Sequence, residues 1–236
     1  MEFIPIKTRI FQPPQDDLFA VLDTSLIDVR ECDVVVVSAK VVAIGEGRCE
    51  LASEVDKEAL IAEDADLLIS RDYWGSPLTV KHNAFIGTAG IDASNGNGYL
   101  VRLPANPHTS AKQLYTYIKE RFGLGEVGVI IADSRSQPFR YGATGIAIGF
   151  YGFRPLIDHR GASDLFGRSL RFETSDIVDG IAAGANVLMG ETDECQPVVV
   201  ARGVPGLTFV EGDFRADLFV EPKRDLFRVL YERFLD

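Results

Sequence analysis

With 236 residues and 46% hydrophobic side chains, the chain can bury a real core, as one large domain or as two intertwined small ones. Its 35 acidic and 24 basic side chains give a formal charge of −11, which repels nucleic acid and anionic membranes unless a basic patch overrides it, and no such patch is evident. The same acidity is compatible with a site where divalent cations neutralise carboxylates beside phosphates.

The first residues, MEFIPIKTRIFQPP, are broken by Pro5, Lys7, Arg9 and Pro13 before a signal-peptide core could form. No apolar run approaches the roughly 18 residues of a membrane span, so neither a membrane nor a nucleic acid is an expected partner. Residues 33–38 (DVVVVS), 127–132 (VGVIIA) and 197–201 (PVVVA) are β-branched runs that predict buried strands. Residues 53–68 (SEVDKEALIAEDADLL) have helical composition, and turn signals gather around Trp74, Gly75 and Pro77. The glycine-rich stretch GTAGIDASNGNG follows at 87–98. Thr109 or Ser110 is the expected cap of a helix over SAKQLYTYIKERF, in which Leu114, Ile118 and Phe122 recur every four residues and Gly123 supplies the stop.

Residues 142–153 (GATGIAIGFYGF) suggest glycine-punctuated strands, and 158–170 (DHRGASDLFGRSL) a structured loop. Ser175 or Asp176 then caps IVDGIAAGANVLM, whose small residues permit close backbone packing. The tail DLFRVLYERFL is amphipathic, with Leu226, Phe227, Leu230 and Phe234 on one face. Strands and helices do not alternate as regular βαβ units, which favours a mixed α+β fold over a doubly wound sheet. Cys32, Cys49 and Cys195 form an odd, widely spaced set without metal-ligand spacing, so structural zinc and a disulfide framework are not expected and a cytoplasmic setting is.

No Walker sequence, GxGxxG after a strand, HExxH or GxSxG occurs, and His82, His108 and His159 stand singly, where a structural role is the expectation. The carboxylates carry more. Asp133 follows the VGVIIA strand and adjoins Ser134, Asp92 follows AFIGTAGI, and Glu191 follows a helix and the pair Met189-Gly190. Together they make a hard, all-oxygen set suited to Mg²⁺ or Mn²⁺ bridging phosphate oxygens. On spacing alone, the plainer alternative of turn and capping acids outweighs it in so acidic a chain.

GIDASN (90–95), IIADSRSQPFR (130–140), DHRGASDLFGRSL and VLMGETDECQPVVVARG (187–203) stand in the order and spacing of the coenzyme F420-0:L-glutamate ligase family. The chain resembles that family across residues 33–202, with a weaker echo at IPIK. The resemblance implies an α+β, F420-0:γ-glutamyl ligase-like fold of mixed sheets and packed helices. Residues 1–236 would form one unit of two intertwined subdomains, assembled as a homodimer. It further implies a GTP- or ATP-dependent ligase with two divalent ions: Asp92 and Asp133 on the first, Ser134, where the family more often has threonine, and Glu191 on the second. Lys40, Asn95 and residues 189–196, including Met189, Gly190 and Glu191, would contact the nucleotide, as would Pro5 and Ile6.

By the same resemblance the acceptor is a carboxylate-bearing cofactor, F420-0-like or folate-like, activated as an acyl phosphate and attacked by the amine of L-glutamate. SAKVVAIGEGR leans toward a folate-metabolism γ-glutamate ligase branch. Departures are Ile44 where a lysine is usual, Gln137 and Phe139 for an arginine and a tryptophan, and Ala143 and Gly145 where GQTD has become GATG. A family cysteine is absent at the place of Cys195, which is expected merely to pack, and the family's histidine at His82 has no assigned role. The rival expectations are a metal-nucleotide binding protein that has lost ligase activity and a purely structural dimer.

Overall fold

A computed structural model describes residues 1–70 and 76–235; the turn signals at Trp74 and Gly75 lie outside the described residues. Along the chain the elements are β1 (Glu2–Ile6), α1 (Leu18–Ser25), β2 (Val34–Ser38), α2 (Ala39–Gly45), β3 (Cys49–Leu51), α3 (Lys57–Asp64), β4 (Leu67–Ser70), β5 (Leu78–Lys81), β6 (Ala84–Gly87) and β7 (Tyr99–Val101). Then come α4 (Pro107–Phe122), β8 (Gly128–Ser136), β9 (Ala143–Tyr151), β10 (Leu156–Asp158), β11 (Thr174–Asp176), α5 (Ile177–Met189), β12 (Val198–Arg202) and α6 (Arg215–Leu218). The mixed α+β expectation holds.

The three β-branched runs are the middle of one five-stranded sheet, ordered β1-β12-β2-β8-β9. Only β2 and β8 are parallel, with Val34 opposite Gly128 and Ser38 opposite Ala132. Both faces are covered, which is why these strands are continuously apolar rather than alternating. Val35, Val37, Val129 and Ile131 pack with α1, α2 and α4 on one face. Val34, Val36, Ile130 and Ala132 pack on the other against Val178, Ile181, Ala182 and Ala185 of α5. Asp33, 1% exposed, locks the start of β2 to β12 by accepting three hydrogen bonds from Arg202, the shortest 2.7 Å. A three-stranded sheet (β4-β5-β6) and two-stranded ribbons (β3-β7 and β10-β11) complete the strands.

Helix α4 begins earlier than the hydroxyl caps suggested. Asn106 caps it, its side-chain oxygen accepting from Thr109 N at 3.1 Å, and Pro107 takes the first turn, where a missing N–H loses no bond. Ser110 instead donates to Asn106 O and to Glu46. Gly123 stops the helix with φ 66°, and Asp176 caps α5, both as expected. GATGIAIGFYGF condenses into the single strand β9.

The amphipathic tail is not one helix. It folds as short turns, Pro222–Arg224, Arg228–Leu230 and Glu232–Phe234, with Leu226 85% exposed. So short a stripe lacks the length to be helical without a surface to bury it. Tyr231 does the anchoring instead, its ring 5.5 Å from that of Phe85 and its hydroxyl donating to Asp225 Oδ2 at 2.6 Å. The 158–170 segment is the structured loop expected. Asp164 Oδ1 accepts from the amides of Phe166 and Arg168, both at 2.8 Å, and so shapes the tip of an arm carrying DLFGR.

Candidate functional site: an acidic cleft at the end of the parallel pair

The parallel strands β2 and β8 finish side by side, and the space beyond their carboxyl ends is where open α/β sheets receive ligands. β8 runs on past β2, carrying Asp133 and Ser134 into that space. The chain leaving β2 turns directly into α2, which places Lys40 in its first turn, and the glycine stretch and the segment after α5 close the other sides. A cavity of about 330 Å³ results, and its wall includes Lys40, Asp92, Asn95, Asp133, Ser134, Met189, Gly190 and Glu191. Pro5 and Ile6 stand in β1 outside that lining; the residues just after them, Thr8 to Phe11, form the wall in their place.

Asp92 is held as the turn residue of the glycine stretch. Its amide donates to Val101 O at 3.0 Å, and its Oδ1 accepts from Ser94 N at 2.9 Å, a local side-chain turn that Asp favours. Glycine is required at 96, where a Cβ would lie 2.2 Å from Tyr99 O. Asp92 Oδ2 takes Lys40 Nζ at 2.6 Å and the Ser94 hydroxyl. Burial pushes the Asp92 carboxyl up, but the Lys40 ammonium and the Ser94 donors outweigh it and hold it below the usual carboxylate range. Asn95 donates to Thr192 O at 2.8 Å, clamping the glycine stretch to the segment after α5.

Asp133 differs. Burial pushes its carboxyl up to about 7, against the pull of the Ser134 amide and Lys40, and the negative charges of Asp92 and Glu191 add to the rise. Ser134 and Glu191 are neighbours, with Ser134 Oγ donating to Glu191 Oε2 at 3.4 Å, while Asn186 Nδ2 donates to Glu191 Oε1 at 3.0 Å. Among the described residues no three His, Cys, Asp or Glu side chains already stand close enough to form a metal cluster. The donors nevertheless suit a hard cation: they are all oxygens, burial with a smaller push from Asp92 and Glu191 holds the Asp133 carboxyl up, and an ammonium already sits on three of the oxygens of Asp92 and Ser94.

Ser94 and Asn186 were not singled out in the sequence. Ser94 was legible as the third residue of a D-x-S turn, and Asn186 as one of two polar side chains in an otherwise apolar helix, the other being Asp179. The departures also find places. Ile44 is 2% exposed, packed in the core on its side of the cavity wall. Gly145 pairs with Ser134, and a Cβ there would stand 2.4 Å from Ala182 O, so α5 occupies the space a side chain would need. Cys195 contributes its carbonyl, which accepts from Thr8 N at 3.0 Å.

The histidines line none of this. His82 turns the β5-β6 hairpin and bonds Pro104 O through Nε2 at 3.2 Å, His108 Nδ1 meets the backbone of Phe150, and His159 Nε2 meets Ser175 Oγ at 2.9 Å.

Fold and cleft together define an α+β protein with an oxygen-rich, acid-lined cavity at the end of the parallel pair β2 and β8. Residues 5–203 match the family described as F420-0:gamma-glutamyl ligase. The chain is 32% identical to a coenzyme F420:L-glutamate ligase of Methanopyrus kandleri, over 97% of either chain. It is 34% identical to that of Archaeoglobus fulgidus over 86% of this chain and 88% of the relative, and 44% identical to that of Methanocaldococcus jannaschii over 63% and 58%. The chain belongs to the F420-0:γ-glutamyl ligase family. Among the described residues no helix is long and apolar enough to cross a membrane.

Proposed function

We propose that the protein is a nucleotide-dependent γ-glutamyl ligase that joins the carboxylate of a cofactor acceptor to the amine of L-glutamate. The observation that carries this is the meeting of Asp92, Asp133, Ser134 and Glu191, drawn from three distant parts of the chain, on one cavity wall. An ionised carboxylate resists attack by an amine, so the acceptor must first be activated. The terminal phosphoryl group of GTP or ATP passes to the acceptor carboxylate, releasing the nucleoside diphosphate. The amine of glutamate then attacks the acyl carbon, phosphate leaves, and the ammonium proton goes to solvent.

Asp92 and Asp133 would hold one Mg²⁺ or Mn²⁺, and Ser134 and Glu191 a second; when bound, such ions neutralise the triphosphate and stabilise charge at the transferring phosphoryl group. The protein's own part is positioning. Asn186 fixes Glu191, Ser94 fixes Asp92, and the Asn95 clamp holds the glycine stretch against residues 189–196, the expected nucleotide segment. Absence of a Ser/His or Cys/His pair in the cavity wall accords with phosphoryl transfer that needs no protein nucleophile.

The names of the relatives favour an F420-type acceptor, and nothing in the cleft favours folate. Leu165, Phe166 and Phe172 on the arm and Phe139 and Tyr141 on the β8-β9 loop are at least 85% exposed, which supports a homodimer that covers them. The test is incubation with GTP or ATP, Mn²⁺ and L-glutamate, offering F420-0 and reduced folates separately. A mass gain of one glutamyl unit on F420-0 is expected, and gain on a folate alone reassigns the acceptor. Buried Ile44 and the space filled by α5 at Gly145 favour a second reading, a nucleotide-binding relative without ligase activity. Tight calorimetric binding of nucleotide with no glutamate-dependent turnover would establish that one instead.

A further inference from the structure

The cleft holds a cation of its own. Lys40 Nζ donates to Asp92 Oδ2 at 2.6 Å, to Ser94 Oγ at 2.9 Å and to Ser94 O at 3.0 Å. An ammonium has three protons, so none is left for a phosphate. The other two cations on the cavity wall are also engaged. Arg9 makes a two-bond pair with Asp16, and Arg102 is shared by Asp64, Glu63 and Glu50.

Asp92 is equally committed. Its Oδ1 accepts from the Ser94 amide and its Oδ2 from Lys40 and the Ser94 hydroxyl. A divalent ion directed to Oδ2 meets the ammonium in its place, so ion and lysine compete for one oxygen. Lys40 can yield without moving backbone: its side chain is 27% exposed, on a flexible four-carbon stem at the mouth of α2. A doubly charged ion is also drawn by Asp133 and Glu191, whose charges both act on the same pocket.

We infer that Lys40 is a tethered stand-in for the first cation. It neutralises Asp92 until a divalent ion takes the carboxylate, and the displaced ammonium is then delivered to the phosphate oxygens of the nucleotide. This rests on the cation-and-nucleotide reading of the cleft given above and adds an order to it. The ion both supplies charge and frees a second positive group, so ion and nucleotide strengthen each other's binding reciprocally.

The test uses the whole chain without acceptor or glutamate. Amine acylation followed by peptide mass spectrometry reads Lys40 against the exposed Lys57. If the pair is closed about four-fifths of the time, saturating Mn²⁺ raises Lys40 labelling about fivefold, and added GTP suppresses it again. Lys57 stays constant.

In parallel, Lys40→Met, which keeps the apolar stem, tightens Mn²⁺ binding in calorimetry by a similar factor. That gain persists in about 0.5 M KCl, where long-range repulsion is screened to a few ångströms and only the contact competition remains. Mn²⁺ binding to the wild type with unchanged Lys40 labelling, or a Lys40→Met gain that vanishes in salt, overturns the stand-in while leaving the cation site. Failure of Mn²⁺ to bind either protein overturns the cation site, and the stand-in with it.

Discussion

The cleft and the arm around residues 158–173 treat their side chains in opposite ways. In the cleft, Asp92, Glu191, Lys40 and Arg9 each have a partner within the chain. On the arm the backbone is tied down by Asp164, yet Leu165 and Phe166 are 98% and 95% exposed. The contrast teaches that the cleft's charged groups are satisfied within one chain, whereas the arm keeps an ordered backbone while its apolar side chains face water. A charged side chain without a partner is costly wherever it is partly buried, so the cleft is satisfied locally. An apolar group in water is tolerated until a second surface removes it.

The largest effect expected in the cleft comes from Asp133→Asn. Metal-dependent phosphate release should fall by about 10³-fold, the loss seen when a charge-stabilising group is removed from a preorganised site. Stability should not fall with it. The Asp133 carboxyl lies at about 7 in the cation-free fold, above its unfolded value, so the native state holds the proton more tightly and loses stability as pH rises toward 7. Asn removes that loss. Thermal unfolding with EDTA at alkaline pH should therefore show the variant at least as stable as wild type; a lower midpoint would mean that Asp133 serves the fold rather than the cleft.

Gly145→Asp sharpens the same question from the strand side. Placing a side chain beneath α5 pushes it against Ala182 O and should lower stability by about 3 kcal/mol in urea. Unchanged stability would show that α5 yields, and that the cleft is less tightly built than its contacts indicate.

His108 supplies a control outside both regions. Burial lowers it to about 4, and its ring stays neutral in the fold while the unfolded chain protonates near 6.5. More protons bind to the unfolded state between those values, so stability falls as pH drops from about 6.5 to 4, by about 2 kcal/mol after allowance for partial exposure. His108→Asn should flatten that part of the urea-unfolding pH profile. The smallest effect belongs to the arm: Leu165→Ser with Phe166→Ser should shift monomer unfolding by less than about 0.5 kcal/mol. Light scattering should show weakened self-association, and an arm variant that unfolds the monomer would erase the contrast.

Much of this architecture was legible beforehand. DVVVVS, VGVIIA and PVVVA read as buried strands because a strand covered on both faces has no solvent side to mark. The start of α5 was marked by a Ser175 or Asp176 cap, and Asp176 is the one the structure uses. The helix over residues 107–122 was placed but its start was missed, since Asn106 and Pro107 competed with two nearby hydroxyls. The tail was misread because its apolar stripe is real, while a helix that short forms only against a surface that pays for it.

In the cleft, Asp92, Asp133 and Glu191 could be suspected as residue types at strand and helix ends, but on spacing alone they were outweighed by ordinary turn acids. Local order along the chain, which elements form and where most of them stop, was determined by the sequence alone, because periodicity, caps and glycines act over a few residues. That Lys40 lies on Asp92, that Asn186 holds Glu191, and that α5 fills the space at Gly145 was decided only by the tertiary structure. Those contacts join residues dozens of positions apart in the first and last cases, and in the second they depend on how a helix end turns. Distances of that kind exist only once the sheet has brought its strand ends together.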